Sequence, residues 1–241
     1  MISVKRKAFQ RILISLCFLF SSTSNASTTQ QQIENVASSL NAHGLTQFMR
    51  LEAVYEKTII PLEGKLKFVI QGCQDKIHNG IRSELTVNYP FNAGDKVTYE
   101  YQIYIPRYFS SDPEGRWFLL TQWHDQPDRN LGETWENFPG RSPLVALYSG
   151  QNSTFGLIYG DEKTELPFYL GMWNSLKFEF FWSEGNDGKL AVHVNGIEYN
   201  FSGKNMHNNY QHYLKIGMYR HQDIETKNDI SFRNLKITTV E

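Results

Sequence analysis

One stretch of the chain, YLKIGMYRH at residues 213–221, combines groups that bind anions and move protons with the spacing of a β-strand. Successive side chains of a strand point to opposite faces, so Tyr213, Lys215, Gly217, Tyr219 and His221 share one face. Lysine supplies a cation and tyrosine supplies a hydroxyl that can give or take a proton. The glycine between them predicts an open spot where a ligand could approach the backbone.

Two further stretches show the same alternation, RSEL at residues 82–85 and QWH at residues 122–124. Arg82 and Glu84 share a face, as do Gln122 and His124, whereas Trp123 alternates with the second pair and should face the core. A guanidinium can hold a carboxylate with two parallel hydrogen bonds, and an amide can donate another. Three such strands side by side would form a polar groove for an anionic ligand. We interpret Glu84 as the residue that orients Arg82.

RSEL, QWH and YLKIGMYR resemble, in this order, the three signature strands of jelly-roll polysaccharide lyases. The resemblance is strongest to the heparin lyase I and glucuronan lyase group, with the alginate lyases as relatives of the same architecture. The segment from 173 to 199 resembles the central hairpin of concanavalin-like jelly rolls, and ISFRNLKI at 230–237 resembles their last strand. The resemblance covers residues 60 to 240 and implies an all-β, concanavalin-like antiparallel β-sandwich, or jelly roll.

This resemblance implies cleavage of an acidic, uronate-containing polysaccharide by β-elimination, which leaves a 4,5-unsaturated uronic acid at the new end. Arg82 and Gln122 would neutralise the uronate carboxylate, and Tyr219 would protonate the departing oxygen. Either His124 or the ionised Tyr219 would take the proton from C5, and Lys215 on the same face would favour the ionised form. The catalytic candidates are therefore Tyr219, His124, Gln122 and Arg82.

Five further residues are candidates for substrate binding: Lys215, Glu84, His78, Arg129 and Tyr213. His78 precedes the RSEL strand, where some members of the family place a histidine. Arg129 belongs to the long segment 125–142, and loops of this length often bind ligands. Ile216 and His221 replace an alanine and a glutamine of the alginate lyase pattern, which favours glucuronan or a heparin-like chain over alginate.

Two other kinds of protein remain as alternatives, a non-catalytic carbohydrate-binding module of the same fold and a hydrolase with an unrecognised carboxylate pair. The simultaneous presence of the acid and base candidates favours the lyase over the module. The sequence has no E-x-D-x-E run, no phosphate-binding glycine loop, no serine elbow and no helical histidine pair for zinc. We expect no metal or cofactor in catalysis, and structural calcium on the loops stays open.

The first 26 residues read as a secretory signal peptide, with a basic start, an apolar run from Ile12 to Phe20 and small residues before Ser27. We therefore expect an exported protein, periplasmic or secreted, without a membrane anchor, and a monomer. Removal of the signal peptide leaves 20 basic and 25 acidic side chains, a formal charge of −5. An acidic domain is a poor nucleic-acid binder, so attraction of a polyanion would need a local basic groove around Arg82 and Lys215, helped by Arg129 or Arg141.

The mature chain divides into a helical or extended lead-in, residues 27–60, and one jelly-roll domain, residues 61–241. Ile33, Val36 and Leu40 have helical spacing and predict a short N-terminal helix. Apolar and aromatic runs bounded by turn residues predict eleven strands, near 65–71, 81–89, 96–105, 116–124, 143–149, 154–160, 174–183, 189–195, 197–201, 213–219 and 229–239. We expect Cys73 to be a buried apolar side chain and Arg220 to lie on the surface.

Overall fold

Two antiparallel sheets of seven strands each pack face to face around an apolar core. The computed structural model describes residues 29–240, so the expected signal peptide lies outside the described residues. In spatial order, and numbered along the chain, the first sheet consists of β1 (Met49–Glu52), β4 (Gly80–Val87), β13 (Tyr213–His221), β6 (Phe118–His124), β7 (Val145–Ser149), β8 (Phe155–Tyr159) and β9 (Glu162–Glu165). The second consists of β12 (Ile197–Ser202), β11 (Lys189–Val194), β10 (Trp173–Phe181), β5 (Lys96–Tyr104), β14 (Asn228–Val240), β3 (Lys65–Ile70) and β2 (Ile59–Leu62). The predicted all-β sandwich is confirmed.

Aromatic side chains from both sheets fill the centre of the sandwich. Trp123 of the first sheet meets Tyr99 and Phe178 of the second, with ring centroids 5.4 and 4.8 Å apart. Trp123 is fully buried, as its alternation with Gln122 and His124 predicts. Because Trp123 points inward, its two neighbours in β6 must point to the outer face of the first sheet.

A short helix, α1 (Gln30–Ser39), precedes the strands and confirms the predicted N-terminal helix. Thr29 and Gln32 form a capping box at its start, and Ile33 and Val36 are buried against the sandwich. Three short 3-10 helices lie at His43–Phe48, Arg129–Leu131 and Gln151–Ser153. No helix within residues 29–240 is long and apolar enough to cross a membrane.

The eleven predicted strands are all present, and the structure adds β1, β2 and β9. These three strands are four residues long and lie at sheet edges. An edge strand pairs on one side only and needs little apolar patterning, so its sequence signal is weak. Because β1 starts at Met49, the sheets begin before residue 61, inside the segment expected to lead into the domain.

Two side chains are placed differently from expectation. Cys73 is exposed, because β3 ends at Ile70 and the thiol lies in the following loop. Arg220 is fully buried, because it alternates with Tyr219 and so points to the inner face of β13. Its Nη2 donates a hydrogen bond of 2.5 Å to the Thr226 carbonyl, which satisfies part of the buried guanidinium.

Candidate active site

The three strands that carry the chemical motifs are neighbours in the first sheet, in the order β4, β13, β6. Tyr219 lies opposite Arg82, and Lys215 lies opposite Gln122. Tyr213 lies opposite His124. The outer face of this sheet therefore brings most of the expected residues together.

Four charged side chains form an ion-pair cluster at the centre of this face: Glu52, Arg82, Glu84 and Lys215. Arg82 Nη1 contacts Glu52 Oε2, and Arg82 Nε lies 3.2 Å from Glu84 Oε2. Lys215 Nζ donates to Glu52 Oε2 at 2.8 Å. With all four ionised, two cations face two carboxylates. Arg82 and Lys215 were expected to form a local basic groove, and the structure pairs both cations with the Glu52 carboxylate.

Glu52 is the member of the cluster that sequence reasoning missed. It ends the edge strand β1, and its Oε1 accepts a hydrogen bond of 2.7 Å from the Thr86 hydroxyl. Burial alone would raise the pKa of Glu52, but Lys215 and Arg82 outweigh it and hold the pKa at about 2. The sequence MRLE does place Arg50 and Glu52 on one face, but four residues are too few to define a strand.

Glu84, the most buried member of the cluster, is paired with the buried side chain of Gln122. Gln122 Nε2 donates a 2.7 Å hydrogen bond to Glu84 Oε1, while the other carboxylate oxygen faces Arg82. Burial raises the pKa of Glu84 against the opposite pull of Arg82 and Lys215. Burial also lowers the pKa of Lys215, although the Glu84 and Glu52 carboxylates act to raise it. Glu84 thus fixes the orientation of both Arg82 and Gln122.

The Tyr219 ring contacts both a cation and an indole. The guanidinium carbon of Arg82 lies 3.9 Å from the centroid of the Tyr219 ring, a close cation–π contact. Trp117 meets the same ring edge-on at 4.7 Å and is itself partly exposed. These contacts fix the ring, while the residue remains partly open to solvent.

The tautomer of His124 follows from its surroundings. Its Nδ1 lies 2.7 Å from the backbone carbonyl oxygen of Asp125, which can only accept a hydrogen bond. The proton of the neutral ring therefore sits on Nδ1, and Nε2 keeps its lone pair. Burial and then the Lys215 charge lower the pKa of His124, so the ring is neutral at pH 7. A neutral imidazole with a free lone pair can accept a proton.

Aromatic rings flank His124 on both sides. Tyr213 stacks on it at 5.6 Å with an interplanar angle of 15°, and Phe138 lies 5.9 Å away at 30°. Trp135 continues the row, 5.4 Å from Phe138. Burial raises the pKa of Tyr213, so its hydroxyl keeps its proton. Tyr213 therefore packs against the histidine ring with its hydroxyl protonated.

Phe138 and Trp135 belong to the long loop after β6, which ion pairs hold in place. Arg141 Nε contacts Asp125 Oδ2 at 2.5 Å, and both its terminal nitrogens lie 2.8 Å from Glu133 oxygens. Arg129 lies outside the ion-pair cluster, exposed in its 3-10 helix. It lines a cavity of about 390 Å³ together with Trp135.

Gly217 and His78 differ from their expected settings. Gly217 has φ of +131°, and a Cβ there would collide with the Ser83 carbonyl oxygen. The glycine thus permits the register shift between β13 and β6 and the close approach of β4. The prediction of an open spot for a ligand at Gly217 is therefore wrong. His78 is exposed in the turn before β4 and makes no described contact with the cluster.

The two seven-stranded antiparallel sheets form a β-sandwich of the jelly-roll class, and one sheet face carries the ion-pair cluster, the neutral histidine and Tyr219. The family is decided by the sequence itself, because the polysaccharide lyase family model matches residues 22–235. The chain belongs to the polysaccharide lyase family, which confirms the resemblance seen in the three motifs. It is therefore an enzyme acting on polysaccharides, and not the non-catalytic module.

Solved structures with this fold include an endo-β-1,4-glucuronan lyase from the fungus Trichoderma reesei, 11% identical over 80% of this chain and 87% of that one, with a TM-score of 0.57. The family 7 alginate lyase A1-II′ in complex with substrate is 14% identical over 87% and 97%, with a TM-score of 0.58. The catalytic domain of a glycoside hydrolase family 131 protein from Coprinopsis cinerea is 16% identical over 80% and 78%, with a TM-score of 0.50. At these identities the likeness shows the fold alone, and lyases and a hydrolase share it. No curated protein matches the chain.

Proposed function

We propose that the protein cleaves a uronate-containing polysaccharide by β-elimination, with glucuronan or a heparin-like chain as its substrate. The observation that supports this most directly is the neutral His124, which shares a sheet face with Tyr219 and the cations Arg82 and Lys215. A base, an acid and cations on one face are the groups that elimination next to a carboxylate requires. The known substrates of glucuronan and alginate lyases of this fold are also polyuronates.

In the proposed reaction, the C5–H bond gives its proton to the enzyme and its electron pair forms the C4=C5 double bond. The C4–O bond breaks, and the departing oxygen receives a proton. The uronate carboxylate already carries a negative charge, which opposes carbanion character at C5. Arg82, Lys215 and the Gln122 amide neutralise that charge, and preorganised groups of this kind contribute ~10²–10³ each in rate.

His124 Nε2 is the proposed base and the Tyr219 hydroxyl the proposed acid. His124 needs no prior deprotonation at pH 7, because its surroundings lower its pKa. Tyr219 would present its hydroxyl to the polymer from a ring fixed by contacts with Arg82 and Trp117. Each well-placed acid or base contributes ~10²–10⁴ in rate.

The test is a panel of glucuronan, heparin, heparan sulfate, alginate and hyaluronan, followed by ultraviolet absorbance of the new double bond. We expect absorbance to rise with at least one polyuronate, and to stay flat with His124→Ala. A parallel digestion in ¹⁸O-labelled water separates the two reactions, since elimination puts no solvent oxygen into the product and hydrolysis does. Labelled products without absorbance would refute elimination and favour the hydrolase.

The remaining parts of the proposal concern the setting of the enzyme. We keep the expectation of an exported monomer, to be checked by N-terminal analysis and by sedimentation. The mechanism uses protein side chains only. Residues 29–240 contain no group of three or more His, Cys, Asp or Glu side chains that could hold a metal ion, and calcium on the loops stays a prediction.

A further inference from the structure

Glu52 occupies the position on Arg82 and Lys215 that a bound carboxylate would take. One of its oxygens, Oε2, contacts both Arg82 Nη1 and Lys215 Nζ, the latter at 2.8 Å. The other oxygen accepts the Thr86 hydroxyl at 2.7 Å. A uronate that used the same two cations would meet this side chain already in place.

The charge balance shows what this occupancy does. With Glu52 present, its carboxylate offsets one of the two positive charges of Arg82 and Lys215, which weakens the attraction for an incoming polyanion. Without the Glu52 carboxylate, the cluster carries one more positive charge. Binding of an anionic chain at these cations therefore depends on where Glu52 is.

Glu52 can leave the cluster, whereas Glu84 cannot. The Glu84 side chain is 1% exposed, accepts a hydrogen bond from Gln122 and belongs to β4, which pairs with a strand on each side. The Glu52 side chain is 26% exposed and ends β1, an edge strand that pairs with β4 alone. Rotation of one edge side chain toward water would leave the ladder between β1 and β4 intact, and the freed carboxylate would be solvated.

We propose that Glu52 is an internal carboxylate that competes with the substrate carboxylate for Arg82 and Lys215 and is displaced when a uronate binds. This inference rests on the proposed function, because displacement of Glu52 requires a carboxylate-bearing sugar at this site. Neutral sugars do not compete with Glu52 for the two cations, so the residue lowers the affinity for uronate chains and leaves the affinity for neutral sugars unchanged.

The experiment compares Glu52→Gln with the parent chain, both carrying Tyr219→Phe so that no substrate is consumed. The probes are glucuronan oligosaccharides and cello-oligosaccharides, their neutral β-1,4-linked counterparts, measured by titration calorimetry. We expect Glu52→Gln to bind the glucuronan probe about tenfold more tightly, since charge pairs at close range couple by about 1.4 kcal/mol or more. Binding of the neutral probe should not change.

Glu63→Gln is the matched control, because it removes the same charge from an exposed glutamate in the turn between β2 and β3. We expect the control to bind the glucuronan probe like the parent, which excludes a general effect of net charge. Thr86→Val provides a second route if Glu52→Gln does not fold. It removes one hydrogen bond that retains Glu52 and leaves both cations, so it should also tighten binding, by a smaller factor.

Unchanged or weaker glucuronan binding in Glu52→Gln, with a normal melting temperature, would overturn the inference and leave Glu52 as a residue that merely holds the two cations. The inference also fails if Thr86→Val weakens binding, or if neither protein binds the glucuronan probe. Turnover by the wild-type chain separates the two ideas. Elimination without tighter binding in Glu52→Gln refutes the displacement alone, while hydrolysis on the polysaccharide panel refutes the proposed function.

Discussion

Tyr219→Phe removes one hydroxyl from the site and leaves the rest of the residue in place. The ring keeps its 3.9 Å contact with Arg82 and its 4.7 Å contact with Trp117. A cation–π contact is worth about 0.5–2 kcal/mol and survives the change, so the free energy of unfolding should shift by less than about 1 kcal/mol. If the hydroxyl protonates the departing oxygen, turnover should fall ~10²–10⁴-fold.

The assay measures initial rates by ultraviolet absorbance on the polymer that the panel identifies, with binding measured separately by calorimetry. A group that acts in the transition state alone lowers turnover without weakening substrate binding. Tyr169→Phe, at an exposed tyrosine outside the site, serves as the matched control for loss of a phenol. Wild-type turnover in Tyr219→Phe, or a loss explained wholly by weaker binding, would refute the assignment of Tyr219 as the acid.

Four further predictions concern the site and the strands that carry it. The pKa of His124 is lowered, and His124 must be neutral to act as the base. In the pH profile of kcat/KM, the midpoint of the acid limb should therefore lie below the usual histidine pKa of about 6.5. A midpoint above this value would exclude His124 as the base. Arg82→Ala should reduce turnover roughly 10²-fold and Arg129→Ala far less, and equal small losses would mean that Arg82 only supports the sheet. Gly217→Ala should lower the free energy of unfolding by about 1–3 kcal/mol in a denaturant titration, because φ is +131°; an unchanged midpoint would contradict this strain. Because the pKa of Glu52 is held at about 2, the ionised side chain contributes fully to stability above about pH 4.5, and this contribution is lost as the pH falls toward 2. Glu52→Gln should flatten that part of the acid-unfolding profile. A variant profile like that of the wild type would contradict the prediction.

Alternation along single strands was enough to predict much of the site. Gln122 and His124 point outward because Trp123 points inward, and this follows from three consecutive residues. The prediction that β4, β6 and β13 lie together came from the family resemblance, since periodicity within a strand says nothing about its neighbours. The sandwich and the eleven patterned strands were likewise predictable from the residue pattern within strands and from the family resemblance.

The parts that sequence reasoning missed depend on contacts between distant segments. Glu52 looked like one acidic residue in a lead-in, and its role appears only when β1 pairs beside β4. The position of Arg220 was predicted wrongly because arginine is rare in protein cores, so its residue type argued for the surface. Its alternation with Tyr219 places it in the core, where the structure has it. Gly217 was interpreted as space for a ligand because a sequence does not show which side the missing Cβ would face.

The ion-pair cluster joins two segments that lie far apart along the chain. Lys215 and Glu52 are 163 residues apart, and their contact requires that the first strand of the sheet and the penultimate strand of the protein flank β4 together. Contacts between such distant segments form late and slowly, because a large loop must close before they can be made. The charge balance of the site is thus completed only in a fully assembled sandwich. Recovery of activity during refolding should therefore coincide with the slowest step of sheet assembly, and a partly folded chain would carry uncompensated charges in place of a working site.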